Sequence, residues 1–276
     1  MSEKKRKINV KIWICAIFIL FVALIAVGGY GGYRLKKHEE YQREMIQNLQ
    51  DRVNRLSAKI DSLSVEDINW LSKGYNYLAI GNSITVHGVT SYWWNEIGMA
   101  ASDENHDYYH IVKNHLEEKY DSVMSEPFNF SVWENQSHDR DETLVYLDQY
   151  LSPELDLITI QLAENASILT TYEDDYVSLL KYVKEKAPNA RILVIGDFWK
   201  YQNRSELKER AVIRANAEYV SLDGITDNED YYCGKGAIVY DKDGNEHIVE
   251  HGGVAIHPGD KGMEAIAERI INKLDE

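Results

Sequence analysis

The sequence predicts an α/β domain, a mostly parallel sheet covered by helices on both faces, carried behind an N-terminal membrane anchor and a helical stalk. Three observations lead there. From about residue 70, short apolar runs alternate with helix-patterned segments, as βαβ units require. Residues 12–33 contain no charged side chain. Residues 39–64 lack Gly and Pro and repeat apolar positions at heptad spacing.

The charge is unevenly spread. The 276-residue chain carries a formal −15, yet residues 1–37 hold eight Lys or Arg against one Glu, a local +7, which leaves −22 on residues 38–276. A body that acidic repels phosphate backbones, so no nucleic-acid partner is expected. Cys15 lies in the apolar run and Cys233 is alone in the rest of the chain, so neither an intrachain disulfide nor a cysteine metal site is expected. Nothing in the sequence calls for a metal or cofactor. Nineteen Tyr and six Trp against five Phe suit a stacking surface such as a sugar site, or ordinary half-buried packing.

The uncharged run from Ile12 to Tyr33 is 22 residues long, and about 20 span a bilayer as a helix. Lys4, Lys5, Arg6, Lys7 and Lys11 precede it. That bias predicts a single-pass cell-membrane protein with a cytoplasmic N-terminus and an extracytoplasmic body. A cleaved secretory signal ending near Ala26-Val27-Gly28 is the alternative, and it too exports the body. Ile46, Leu49, Val53, Leu56, Ile60 and Leu63 then form a seam that suits a two-stranded parallel coiled coil and a homodimer. A single amphipathic helix packed on the following domain is the other reading. The expected boundaries are residues 1–11 for a basic tail, 12–33 for the anchor, 34–66 for the stalk and 67–276 for the catalytic domain.

In that domain NYLAIG (76–81), EPFNFSV (126–132), LDLITIQL (155–162) and ARILVIGDF (190–198) read as strands. Helices are expected over 108–120, 142–151, 172–186 and 205–219, the third stopping before Pro188. GAIVYDKDGNEHIVE (236–250) reads as a hairpin turning at Asp243-Gly244. Met263, Ile266, Ala267, Ile270, Ile271 and Leu274 place a final helix at the end, with Asp260 as its expected N-cap.

Ligands of parallel sheets sit beyond the C-terminal ends of the strands. There the first strand ends in Gly81-Asn82-Ser83, a turn that can expose a hydroxyl near a helix N-terminus. The third ends in Gln161-Leu162-Ala163-Glu164-Asn165, and His257 precedes the last helix. Ser and Asn are also ordinary turn residues, but serine, asparagine and histidine together at one edge can supply a nucleophile, an amide donor and a base.

LAIGNSIT, ITIQLAEN and HPGDKG resemble, in order and at matching elements, three blocks of the SGNH/GDSL hydrolase family. The resemblance spans about residues 70–276 and implies a flavodoxin-like three-layer α/β/α fold with a mostly parallel five-stranded sheet. It implies Ser83 as nucleophile, His257 as general base, and Asn165 with the Ser83 backbone N–H as oxyanion donors. Two positions depart from the family pattern. The glycine that supplies a further backbone N–H is matched by Glu134, or else Ser131, and Glu134 could serve only with its carboxylate turned away. The Asp usual three residues before the histidine is replaced by Val254, leaving a backbone carbonyl, the nearby Glu250 or His251, a remote acid, a water, or no partner at all to orient His257.

Asn82, His87, Trp93 and Trp94 are candidates for contacting substrate. His106 and His110 have helical metal-ligand spacing without the glutamate of the zinc-protease motif. DKDGNE (241–246) has its Gly misplaced for an EF-hand loop. The function expected is an extracytoplasmic serine esterase that removes small acyl groups, O-acetyl above all, from carbohydrate or related esters. An envelope glycan O-acyltransferase using the same serine, or a catalytically degenerate glycan-binding head on a membrane stalk, would also fit these residues.

Overall fold

The structure, a computed structural model, describes residues 67–135 and 140–276. The basic tail, anchor and coiled-coil stalk expected over residues 1–66 lie outside the described residues. No helix among the described residues is long and apolar enough to cross a membrane.

Strands β1 (Tyr75–Gly81), β2 (Val123–Asn129), β3 (Leu157–Gln161), β4 (Arg191–Ile195) and β5 (Glu218–Val220) form one parallel sheet in the order β2-β1-β3-β4-β5. This is the flavodoxin-like order, whose switch point lies between β1 and β3. The helices are α1 (Tyr108–Lys119), α2 (Ser131–Asn135), α3 (Tyr172–Lys186), α4 (Arg204–Ala215), the single turn α5 (Gly252–Ala255) and α6 (Asp260–Leu274). The strand period of two sorts β1 between two cores. Tyr77 and Ala79 pack with Tyr108 and Val112 of α1 and Met263 and Ile266 of α6. Leu78 and Ile80 pack with Tyr176 and Leu180 of α3 and Val212 of α4. Burial on both faces is why the central strands read as continuous apolar runs.

Three elements differ from expectation. The second strand runs over Val123–Asn129 and the chain turns helical at Ser131. It lies at the sheet edge and is half-buried throughout, so Val123-Met124 are followed by the polar Ser125-Glu126 instead of a continuous apolar run, and Pro127 is tolerated there. The segment expected as an α-helix over 142–151 is a 3₁₀ helix, Arg140–Leu147, in which the Thr143 hydroxyl donates back to the Arg140 carbonyl at 2.7 Å. The helix expected over 205–219 ends at Ala215, because Asn216 adopts the left-handed conformation (φ 52°, ψ 50°) and frees the chain to form β5.

The expected hairpin is present as β6 (Ile238–Tyr240) and β7 (Glu246–Ile248). At α6 the N-cap is Gly259; the Asp260 carboxylate instead accepts from the Ser102 backbone N–H at 2.7 Å. What positions the site is the register. Gly81 pairs with both Asn129 and Gln161, so β1, β2 and β3 end level and their following loops emerge side by side.

Candidate active site

Ser83 stands on a tight turn directly after β1. The Asn82 carbonyl accepts from Thr85 N–H (3.0 Å) and Val86 N–H (3.1 Å), and its side-chain oxygen accepts from Ile84 N–H (3.0 Å). Gly81 is obligatory, since a Cβ there would lie 1.8 Å from Thr85 Oγ1 and 2.6 Å from the Gln161 carbonyl oxygen. Asn82 and Ile84 are buried while Ser83 is half-exposed, so the turn presents one hydroxyl. The Ser83 N–H has no acceptor among the described residues. No helix follows this turn directly; α1 begins only at Tyr108, so the helix dipole expected behind the serine is absent there.

His257 Nε2 lies 2.8 Å from Ser83 Oγ, and its Nδ1 lies 2.6 Å from the Gly253 carbonyl oxygen. A carbonyl can only accept, so Nδ1 carries the proton and Nε2 offers its lone pair to the serine. The partner missing from the sequence is therefore a backbone group at one end of α5. Val254 points into the apolar core, and Glu250 is exposed with no hydrogen bond to His257, which removes it as the orienting acid. Gly253 fits because a Cβ there would come within 3.0 Å of the His251 ring.

The histidine's surroundings are fixed from three sides. Its carbonyl accepts from Cys233 N–H at 2.8 Å, its N–H donates to the Val254 carbonyl at 3.0 Å, and Gly259 N–H donates to the Tyr231 carbonyl at 3.0 Å. The Trp199 ring meets the imidazole nearly perpendicularly (centroids 4.9 Å apart, 78°) and donates Nε1–H to the Ile256 carbonyl at 3.2 Å. Removal from water pushes the His257 pKa down to about 4; the Gly253 carbonyl pulls it upward, and the nearby His87 and His251 add to the lowering. The ring is neutral, as a base must be.

Asn165 follows β3 through Ala163, whose φ of 107° is a conformation L-residues rarely adopt. Beneath it lies Glu134 of α2, with its carboxylate turned inward. Glu134 Oε2 accepts from Asn165 Nδ2 at 2.6 Å, and Oε1 accepts from Asn82 Nδ2 at 2.9 Å and from the Ala163 N–H. Glu134 is thus a buried carboxylate acceptor, which corrects the expectation of a residue contributing only its backbone with its side chain turned away. Burial and the charge of Glu164 raise its pKa, against the hydrogen bonds it accepts.

Asn82 is also not a substrate contact. Its second amide hydrogen goes to Glu164 Oε2 at 2.8 Å, so it bridges two buried carboxylates. Glu164 Oε1 accepts from Gln161 Nε2 at 2.5 Å and Phe198 N–H at 3.2 Å. Arg204, buried against Asp197 (3.0 Å), donates Nη1 to the Glu164 carbonyl and Nη2 to the Trp199 carbonyl, each at 2.6 Å. One guanidinium therefore ties the Asn165 loop to the Trp199 loop.

The aromatic candidates divide. Trp93 is fully buried in the core and is removed as a substrate contact. Trp94 stacks on His247 (4.4 Å, 10°) and lines a cleft of about 280 Å³ with Val89 and Asp241–Asp243, on the hairpin side and without Ser83 or His257 in its lining. Tyr92 stacks on His251 (4.4 Å, 16°), the ring beside Gly253, and is 37% exposed. His87 sits near His257 and donates Nδ1–H to the Gly88 carbonyl at 2.7 Å. His106 and His110 pair with Asp103 and Asp107, and no group of three or more metal-ligating side chains occurs among the described residues. Trp199, Gly253 and Arg204 carry no local motif, and Glu164, though inside ITIQLAEN, has no role that the block assigns; the order of elements points only to the loop after β4.

No family model matches the chain, and no curated protein matches it. Solved structures similar to it include a protein described as a GDSL-like lipase from Bacteroides ovatus, at 17% identity over 73% of this chain and 98% of that one with a TM-score of 0.46. Another so described, from Bacteroides uniformis, is 14% identical over 73% of this chain and 96% of that one, with a TM-score of 0.48. A two-domain esterase active on acetylated mannans is 16% identical over 73% of this chain and 48% of that one, with a TM-score of 0.44. Two of the three are described as GDSL-like and the third only as an esterase; the likeness of each to this chain is one of fold.

Proposed function

We propose that the chain is a serine esterase of the SGNH/GDSL type that removes small acyl groups, O-acetyl above all, from carbohydrate esters. The observation that carries this is the Ser83 Oγ to His257 Nε2 contact of 2.8 Å, with Nδ1 held by the Gly253 carbonyl. His257 takes the serine proton as Oγ attacks the ester carbonyl. The tetrahedral oxyanion accepts from the Ser83 N–H and from the Asn165 amide hydrogen that Glu134 leaves over. Collapse breaks the ester C–O bond, and the departing alkoxide takes the proton from His257. Water, deprotonated in turn by His257, then releases the acyl group and restores Ser83.

An acid partner stabilises the imidazolium; in serine proteases, replacing that acid by its amide lowers turnover by about 10⁴. A carbonyl replaces only the orienting part of that role, which suits esters better than amides. Tyr92 on His251 and the half-buried Trp199 give stacking faces beside the dyad, which supports a sugar ring as the alcohol part. The uncharged run over residues 12–33 and the basic residues before it support an extracytoplasmic position on a single-pass anchor.

The test is turnover of p-nitrophenyl acetate and of acetylated glycans by the full chain beside Ser83→Ala and His257→Ala. Both substitutions are expected to abolish acetate release. Undiminished turnover in either would remove the esterase, and acyl transfer to added sugar in preference to water would make the protein a transferase instead.

A further inference from the structure

The Glu134 carboxylate accepts at once from the loops that follow two strands adjacent in the sheet, β1 and β3. From the β1 loop it takes one hydrogen of the Asn82 amide at 2.9 Å. From the β3 loop it takes the Ala163 N–H, the Asn165 N–H at 3.5 Å and the Asn165 Nδ2 at 2.6 Å. Asn82 directly precedes the serine, and Asn165 carries the side-chain amide proposed above as an oxyanion donor.

An amide group has two hydrogens in one plane, about 120° apart. With one of them on Glu134 Oε2, the plane of the Asn165 amide is set and the direction of its other hydrogen follows. The backbone N–H of the same residue ends on the other oxygen of the same carboxylate. The left-handed Ala163 supplies the turn that brings these donors to Glu134, an uncommon backbone conformation held by that contact. A buried carboxylate is retained where its acceptors are used, and Glu134 has four donors on two oxygens.

We propose that Glu134 is a positioning residue that fixes the Asn165 amide relative to Ser83, so that α2 contributes to the oxyanion site through a side-chain carboxylate. The role rests on the esterase reading above. Hydrogen bonds made by preorganised donors act on the transition state, so losing the positioning lowers kcat and leaves KM nearly unchanged.

The experiment is a double-mutant cycle in the full chain with p-nitrophenyl acetate: wild type, Glu134→Gln, Asn165→Ala and the double variant. Glutamine keeps one acceptor but turns a second donor towards Asn82 and Asn165. Asn165→Ala is expected to lower kcat by about 10². Glu134→Gln is expected to lower kcat by roughly tenfold or more with KM within about twofold, and to add nothing in the Asn165→Ala background. Multiplying losses, or an unchanged kcat in Glu134→Gln, would overturn the proposal.

Should Glu134→Gln not fold, the wild-type protein decides through the side-chain amide resonances of Asn165 in ¹⁵N-labelled material. One hydrogen is expected to be shifted downfield and protected from exchange; two hydrogens at the ordinary positions of a solvated asparagine, exchanging equally fast, overturn the assignment. Turnover that survives Ser83→Ala would remove the esterase itself, whereas multiplying losses with Ser83-dependent turnover remove only the positioning role.

Discussion

His257 Nδ1 lies 2.6 Å from the carbonyl oxygen of Gly253, four residues earlier in the chain. The single turn α5 lies between the hairpin and the last helix, and its N-terminal half turns a backbone oxygen to the imidazole. A carbonyl orients the ring as a carboxylate would, but brings no full negative charge to hold a proton on it.

The pH profile reports that difference. Burial lowers the His257 pKa to about 4 in the folded protein. The acid limb of kcat/KM, which reflects the free enzyme, is therefore expected near pH 4 and well below the ordinary histidine value of about 6.5. The sign for stability runs with it. Between those two values the unfolded chain binds a proton that the folded one does not, so this group favours unfolding increasingly as pH falls from 6.5 to 4. A limb at 6.5 or above would show a carboxylate partner.

Val254→Asp does not rebuild a triad. The Val254 side chain is buried in the apolar core, at 1% exposure, so an aspartate there meets hydrocarbon. The expected outcome is a loss of about 3–5 kcal/mol, read from denaturant unfolding, with no gain in turnover. Raised kcat in a stably folded Val254→Asp protein would contradict the placement.

Asn82 explains why this position carries an amide. Both of its hydrogens go to carboxylates, Glu134 and Glu164, and an aspartate would set a third carboxylate between them. Asn82→Asp is expected to cost about 3–5 kcal/mol near neutral pH. The added carboxyl would have a raised folded-state pKa, so the deficit is full above its folded value and shrinks as pH falls towards its unfolded one. Equal stability of the two proteins at pH 7 would refute the bridging role.

Trp199 holds the other side of the imidazole and ties to the Ile256 carbonyl. Trp199→Ala is expected to lower kcat roughly tenfold, and Trp199→Phe, which keeps a ring against His257, to recover most of it. Steady-state kinetics on both variants check this; equal losses would assign the effect to the Ile256 hydrogen bond alone.

Much of the site was legible because its chemistry is written locally. A strand that stops at glycine with Asn-Ser behind it, and a His-Pro before an amphipathic helix, are features of a few residues each. The parts that escaped depend on distance. Glu134 reads as a backbone donor whose carboxylate turns away from an oxyanion, yet two loops supply that carboxylate with donors. Trp93 and Trp94 are neighbours in sequence, but one is in the core and the other faces the hairpin. β5 is three residues long and follows a helix after a single left-handed asparagine, so no periodicity announces it. The orienting group of His257 is a backbone oxygen, which no side-chain pattern can reveal.

Activation of Ser83 by His257 can be read without any assumption about substrate, by labelling the protein with a fluorophosphonate and mapping the adduct by mass spectrometry. One adduct is expected, on Ser83, forming at least about 10² slower in His257→Ala. An adduct on another residue, or the same rate without His257, would contradict a serine activated by this histidine.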